Sequence, residues 1–592
     1  MYLHAKEAVL VANGKNWCLY GFKEENEYLS VMNFQRIIWA ALMFGIGTNA
    51  FAQDADLPLQ HEAYHFIDRL DIKGVTGGTV HTDQKPYSRQ AVSEIFAAAD
   101  TSAMKPTERE WLRLTRLSAD DDFANANAKK GVLKYFFKNQ RDLFHYANGK
   151  VRLYANVIGH IAGGMDQHNY TLDNSQIGLF NYRNSRGVQL RGSISNRLGF
   201  FTEVSENQAK LPQFVRGSYA DLGVLYGQNF VKTFDVAPNT GFDYFTARGY
   251  VTYSPGKQFR LKLGKDRAFL GNGHQSLLLN DQATDYFFLN LNTRIWKLEY
   301  INHFALMTDF IKGKPDGYGT FPKKYAVMHE LNYKPWKQFS VGLFESVVYS
   351  PHLPGGNRGF ELEYMNPLIF YRSVEQSLGS PDNSMLGLHW KLNALKRFQH
   401  YGQFLLDDLN FRNRTIGPGY VGNKFGYQFG IKYIDAFWLR GLDLQMEYNW
   451  VRPYTYSHFN PSASYSHYGQ PLGYAYGANA HDVNLILRYQ PFPRWSALLM
   501  MNSVLKGRDI NGLNYGGDIF KPYTTRVQDY NNVVGQGDPL KITQLYGRLS
   551  YRLLSLDAYA DLEGRYRKEN NNSSLSILGS LRINLPNQIQ KY

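Results

Sequence analysis

The pentapeptide His61-Glu62-Ala63-Tyr64-His65 carries the His-Glu-x-x-His spacing. On a helix this puts two imidazoles on one face, where they can hold zinc while the glutamate acts on metal-bound water. Such a centre also needs a third ligand and a substrate cleft. Here His65 runs on into Phe66-Ile67-Asp68, without the Gly-x-x-His continuation, so the pair reads as a polar helix face or at most an incidental metal site. Gly271-Asn272-Gly273-His274 can cradle an anion through backbone N–H groups, but no Lys-Ser/Thr follows to make a nucleotide loop. A third concentration is Glu361, Glu363, Tyr364, Asn366, Glu375, Asp382 and Asn383. Folded inward, it would bind sugar hydroxyls or satisfy lumen side chains as a plug. Glu361 or Glu363 with Glu375 has the residue types of a glycosidase pair. Paired carboxylates are common in barrel lumens, however, and no Gly-x-Ser-x-Gly elbow occurs, so the chain is not read as an enzyme and no cofactor is implied. Lys265, Asp266 and Arg267 leave a strand towards a loop, and Tyr454 and Tyr456 open a tyrosine-rich stretch between Pro453 and His481. Lys and Arg attract acidic groups, and tyrosine faces stack on sugar rings or pack on one another.

The elements that would position these residues are strands. Phe245, Ala247, Gly249, Val251 and Tyr253 alternate with Tyr244, Thr246, Arg248, Tyr250 and Thr252. Leu442, Leu444, Met446, Tyr448 and Trp450 alternate with Asp443, Gln445, Glu447 and Asn449, and Ala558, Ala560 and Leu562 alternate with Tyr559, Asp561 and Glu563. One face is apolar and the other polar, as in a strand with lipid outside and water inside. On that reading Leu444 and Ala560 face lipid, while Gln445 and Asp561 face the lumen, where substitution should be milder. About eighteen strands are expected between 151 and 585, with tight turns after even-numbered strands and mostly long loops after odd-numbered ones. The composition agrees: 43 Tyr, 38 Phe and 53 Gly, with a single cysteine, Cys18. One cysteine excludes a disulfide framework or a Cys-built zinc site.

The N-terminus is organised differently. Arg36, the apolar run Ile37–Ile46 and Ala50-Phe51-Ala52 read as a secretory signal peptide over 32–52, with 1–31 an over-extended gene start. Residues 53–150 follow as a periplasmic helical block, appendage or plug. Helices are expected from Pro58 to about Leu70, at Ser88–Ala98 and at Pro106–Ser118. Residues 151–592 form the outer-membrane barrel. The net charge of +14 on an exported chain argues against nucleic acid and suits an acidic polysaccharide or the phosphates of lipopolysaccharide.

Several short runs carry a resemblance. They are Ile67-Asp68-Arg69-Leu70-Asp71-Ile72-Lys73-Gly74, Gly264-Lys265-Asp266, Phe269-Leu270-Gly271-Asn272-Gly273 with Ser276-Leu277-Leu278-Leu279-Asn280-Asp281, Glu363-Tyr364-Met365-Asn366-Pro367, Ser380-Pro381-Asp382-Asn383 and Tyr401–Asp408. In these the chain resembles the capsule-assembly Wzi family. The resemblance implies an eighteen-stranded outer-membrane barrel with a small periplasmic helical bundle, acting as a surface lectin that tethers capsular polysaccharide. Related barrels in gliding bacteria serve motility or adhesion, so it implies the fold more firmly than the ligand. A diffusion porin or transport channel is the main alternative, and a hydrolase using lumen carboxylates a weaker one.

Overall fold

Each stretch of period-two alternation forms a strand, and the strands close into a barrel of eighteen antiparallel members. The computed structural model describes residues 55–586 except 76–80, 100, 103, 127–140, 149, 170–176, 196, 236–239, 310–320, 354–355, 367–381, 409–417 and 554–556. The signal-peptide reading, Cys18 and Glu375 lie outside the described residues. The barrel strands are β1 (Val151–His168), β2 (Ile177–Ile194), β3 (Leu198–Lys210), β4 (Gly241–Tyr253), β5 (Phe259–Asp266), β6 (Tyr286–Ile295), β7 (Leu298–Thr308), β8 (Lys323–Trp336) and β9 (Phe339–Tyr349). They continue as β10 (Asn383–Ala394), β11 (Phe398–Asp408), β12 (Lys424–Tyr433), β13 (Leu442–Val451), β14 (Ala480–Phe492), β15 (Trp495–Arg508), β16 (Asp538–Arg552), β17 (Ala558–Glu569) and β18 (Asn572–Ile583). Each pairs with its sequence neighbours, and β18 closes on β1 from Ser574↔His168 to Ile583↔Gly159. Connections after even-numbered strands are short and those after odd-numbered ones long, except the tight β17–β18 turn at Asn570–Asn571.

Burial is inverted relative to a soluble protein. On β13, Asp443, Gln445, Glu447 and Asn449 point inward and are 5% exposed or less, while Met446 on the other face is 49% exposed. Leu485, Leu499, Leu562 and Ile577 on neighbouring strands are exposed in the same way. An outer band of this kind belongs against lipid. Trp296, Trp336, Phe437, Trp438, Phe492 and Trp495 project at the short-turn end, where an aromatic girdle belongs.

The apolar core lies inside the barrel and is built from loops. The β5–β6 loop folds into the lumen, with Leu270, Leu277, Leu278 and Leu279 buried. It meets Tyr456, Tyr465, Leu472 and Tyr474 of the β13–β14 loop, and Phe214 and Val215 of a helix (Gln213–Leu222) in the β3–β4 loop.

The N-terminal block consists of α1 (Ala63–Ile72), α2 (Arg89–Ala98), α3 (Pro106–Ala119) and a short α4 (Asp121–Ala126) around Phe66, Ile67, Val92, Ile95 and Leu112. Ser88 caps α2 by accepting from the Ala91 N–H, and Pro106 opens α3, as its fixed φ allows. The first helix starts later than its sequence pattern suggests. Gln60 has φ +63° and its amide donates to Asp281 of the β5–β6 loop, so tertiary docking turns the chain before a helix can begin at Pro58. The block does not end cleanly at 150 either, because Phe144–Ala147 pairs with the start of β1.

Candidate functional site

Acidic groups of the block meet basic groups at the bottom of the lumen. Asp68 binds Lys432 at 2.8 Å, Asp71 binds Lys391 at 3.0 Å, Glu62 binds Arg582 at 2.9 Å, and Asp56 binds Lys262 at 2.8 Å. Asp142, at the end of the block, binds Arg191 of β2 at 2.6 Å. Arg69 reverses the pattern, joining Asp443 and, at 2.7 Å, Asp435. Burial raises the Asp68 carboxyl, but Lys432, Lys85 and His65 together lower it by more, and it settles at about 2. Much of the chain's positive charge is thus consumed internally, and its total is no measure of affinity for acidic ligands.

The His-Glu-x-x-His residues take part in this docking. His61 Nε2 lies 3.5 Å from Asp557 and its Nδ1 accepts the Ala63 N–H, whereas His65 Nε2 lies 2.9 Å from Asp443. The imidazoles face different carboxylates, because the late helix start takes His61 off the helix. Glu62 between them is held by Arg582 and Arg548. They line a cavity of about 240 Å³ between the block and the inner wall, together with His274 and Arg488.

The two residues after the Gly271–Gly273 turn present their backbone N–H groups to an anion that belongs to the barrel itself. The His274 and Gln275 N–H groups donate to Glu447 at 2.6 and 2.9 Å, and Tyr401 also donates to it, at 2.8 Å. Gly273 is required there, since a Cβ would sit 2.5 Å from the Glu447 carboxylate. Asn272 donates to Asp83 of the block at 2.9 Å, and Gln84–Lys85 pairs with Phe269–Leu270. The β5–β6 loop therefore reaches from its strands down to the helices and fills the lumen.

The other sequence candidates are dispersed. Lys265 pairs with Asp285 at 2.8 Å, Asp266 is buried against Lys262 at 2.7 Å, and Arg267 donates to the Asp281 carbonyl at 3.1 Å. Tyr454 and Tyr456 are buried, donating to the carbonyls of Asn514 and Leu277 at 2.9 and 2.8 Å, so neither presents a face for stacking on a ligand. The described Phe360–Asn366 part of the segment expected to fold inward lies instead on the outside of the wall. Phe360 and Tyr364 pack on Phe304, Tyr325, Val327, Val347 and Tyr349, which occupy the outward positions of β7–β9. Tyr364 donates to Asp382 at 2.7 Å, Glu361 stands 3.9 Å from Arg358, and Glu363 and Asn366 are exposed. Asn383, on β10, points the other way and donates to the Ala463 carbonyl. The outward aromatic run on these strands could have signalled such a cover, but it reads equally as lipid-facing surface.

At the long-loop end the structure presents aromatics not singled out from sequence. Tyr420 and Tyr530 stand 5.6 Å apart on two loops joined by Val421 N–H to Asp529 O at 2.8 Å. Tyr523 packs edge-on to His458 at 6.4 Å, with Lys424 Nζ 4.9 Å above its ring. Phe459 and Tyr530 are 40% and 44% exposed. The cations nearby are paired, Lys521 with Asp509, Arg526 with Asp529 and Arg508 with Asp538. The arrangement is two exposed rings, Phe459 and Tyr530, beside the half-buried Tyr420 and Tyr523 in a mostly neutralised field.

The family model for the capsule assembly protein Wzi matches residues 166–557, well over half of the chain. The chain belongs to that family. Among solved structures, that of Escherichia coli Wzi, described as an outer membrane protein involved in group 1 capsule assembly and a carbohydrate-binding β-barrel, covers 90% of this chain and 100% of its own, with 13% identity and a TM-score of 0.53. A BenF-like porin from Pseudomonas fluorescens covers 73% of this chain and 99% of its own at 9% identity and TM-score 0.40, and OccK8 from Pseudomonas aeruginosa covers 72% and 98% at 9% identity and 0.39. No curated protein sequence matches this chain. As a Wzi-family barrel the protein is placed in the outer membrane.

Proposed function

We propose that this Wzi-family barrel binds surface polysaccharide at its outer mouth and so helps anchor capsule, without catalysing a reaction. The observation that carries the reading is the filled lumen. The β5–β6 loop, the β13–β14 loop and the Gln213–Leu222 helix share one apolar core inside the wall, which favours a surface-binding role over a diffusion pore. The exposed rings of Phe459 and Tyr530 and the half-buried ring of Tyr523 offer flat apolar faces with polar edges, as sugar rings require. Because the nearby cations are already paired, stacking rather than ion pairing should dominate, and binding should depend only weakly on salt.

The test is capsule retention on cells carrying Phe459→Ala, Tyr523→Ala and Tyr530→Ala together. Retained polysaccharide should fall several-fold, while the amount of heat-modifiable, folded barrel in the outer membrane stays unchanged. Full retention by that folded variant would remove the outer mouth as the binding surface.

A further inference from the structure

Many lumenal charges among the described residues are held by ion pairs or hydrogen bonds, and one that is not faces a chamber. Arg183 of β2 points inward and makes no ion pair or hydrogen bond among the described residues. Its neighbours on the inner wall are satisfied: Arg191 by Asp142, and Arg248 by Glu203 at 2.6 Å. Arg183 borders a chamber of about 150 Å³ between the β1–β4 wall and the loops, and a smaller adjoining one towards β16–β18. His160 lines both and likewise has no such partner.

Three carboxylates also line the chamber, and each is engaged, Glu203 by Arg248, Asp285 by Lys265 and Asp281 by Gln60, while the remaining lining suits a sugar. Ser185, Ser205, Asn207, Thr246 and Gln228 supply hydroxyls and amides, and Tyr226 and Tyr244 supply rings. Gln282 lies there, 8% exposed as a residue, and neither its amide nitrogen nor its amide oxygen has a partner among the described residues. A buried amide left unsatisfied is costly, and a guanidinium is the side chain best matched to a carboxylate. Pockets for drug-sized ligands run to about 300–1,000 Å³, so this chamber suits a single ring rather than a chain. Beside it, Tyr244–Arg248 of β4 pair with β3 alone, because pairing with β5 begins only at Gly249.

We propose that the chamber is a subsite for one anionic sugar residue, a uronic acid, with Arg183 on the carboxylate and Gln282 on ring hydroxyls. It rests on the polysaccharide-binding reading but uses residues remote from the outer-mouth rings. Calorimetric titration of the full-length protein in detergent should show binding of glucuronate, with glucose and inorganic phosphate each at least tenfold weaker. Arg183→Gln should abolish the preference for glucuronate over glucose, and Arg183→Lys should restore part of it. Gln282→Glu, which sets a carboxylate against the ligand, should weaken glucuronate binding at least tenfold and serves if Arg183→Gln does not fold. A glucuronate-terminated oligosaccharide distinguishes sources. Its binding assigns a polysaccharide chain end, whereas binding of free glucuronate alone assigns a free sugar acid, and either supports the subsite. Absence of glucuronate binding to the folded parent overturns the proposal. So does phosphate binding as tightly as glucuronate, or undiminished binding by folded Arg183→Gln or Gln282→Glu. The Phe459/Tyr523/Tyr530 variant should bind glucuronate normally, so failure of the outer-mouth reading and failure of this subsite are separable.

Discussion

Glu447 shows what an inward polar residue does in this barrel. Its carboxylate takes two backbone N–H groups from the plug and a phenol from Tyr401, and it is fully buried. Gln445, one inward position below, donates to Tyr401 and accepts from Arg488. The expectation that lumen substitutions are milder than lipid-face ones therefore does not extend to Gln445, because a buried network loses more than one bond when one member goes. On the other face, the prediction concerns Met446, which stands between these two and is 49% exposed. Met446→Arg puts a charge against lipid at a cost of about 2–4 kcal/mol near the midplane. Equilibrium refolding into bilayers, read by heat-modifiable gel mobility, should show that loss. A neutral outcome would mean that this face is not in contact with lipid.

At the scale of elements, α1 is fastened to the barrel by opposite charges more than by apolar contact. Asp68 lies near 2, since burial raises it but the combined pull of Lys432, Lys85 and His65 outweighs that rise, and the carboxyls of Glu62 and Asp71 are also held low. For a carboxylate depressed in the folded state, the stabilisation is complete above its ordinary value of 3.8 and disappears as the pH falls through the folded value. Between about pH 4 and pH 2 the amides of Ala63–Ile72 should lose hydrogen-exchange protection, after correction for intrinsic rates, before the barrel strands do. Protection that persists at pH 2, or is lost simultaneously with that of β13, would argue against electrostatic docking. His65 gives no opposing gain, because burial lowers its imidazole and the Asp443 contact only partly offsets this.

The whole molecule is a barrel closed by its own loops, with the β5–β6 loop reaching down to the helical block. Reconstituted in a planar bilayer, the parent protein should give no porin-like conductance steps. Replacing 271–283 by a short Gly-Ser linker should introduce them in chains that still assemble. Large, regular steps from the parent would contradict the sealed lumen and revive the channel reading.

The strands were legible from sequence because side-chain direction repeats every two residues and the lipid boundary sorts apolar from polar. Strand number, loop parity and two of the three longer helices of the N-terminal block follow from such local rules. Short runs such as Phe269–Gly273 and Tyr401–Asp408 likewise disclosed the family. What the local pattern could not decide is which loop enters the lumen. Leu277-Leu278-Leu279 and the aromatic Phe360–Met365 are both apolar runs in long loops, yet the first plugs the barrel and the second covers its outside. Their destinations depend on partners far away in sequence, such as Glu447 for the Gly271–Gly273 turn and Tyr349 for Tyr364. The same distance hides the fate of His61 and His65, whose spacing suggests one metal while the closed barrel presents each with a separate carboxylate. Arg183 stands out for the same reason: only closure of the wall around the loops reveals which lumenal charge is left facing a chamber without a partner among the described residues.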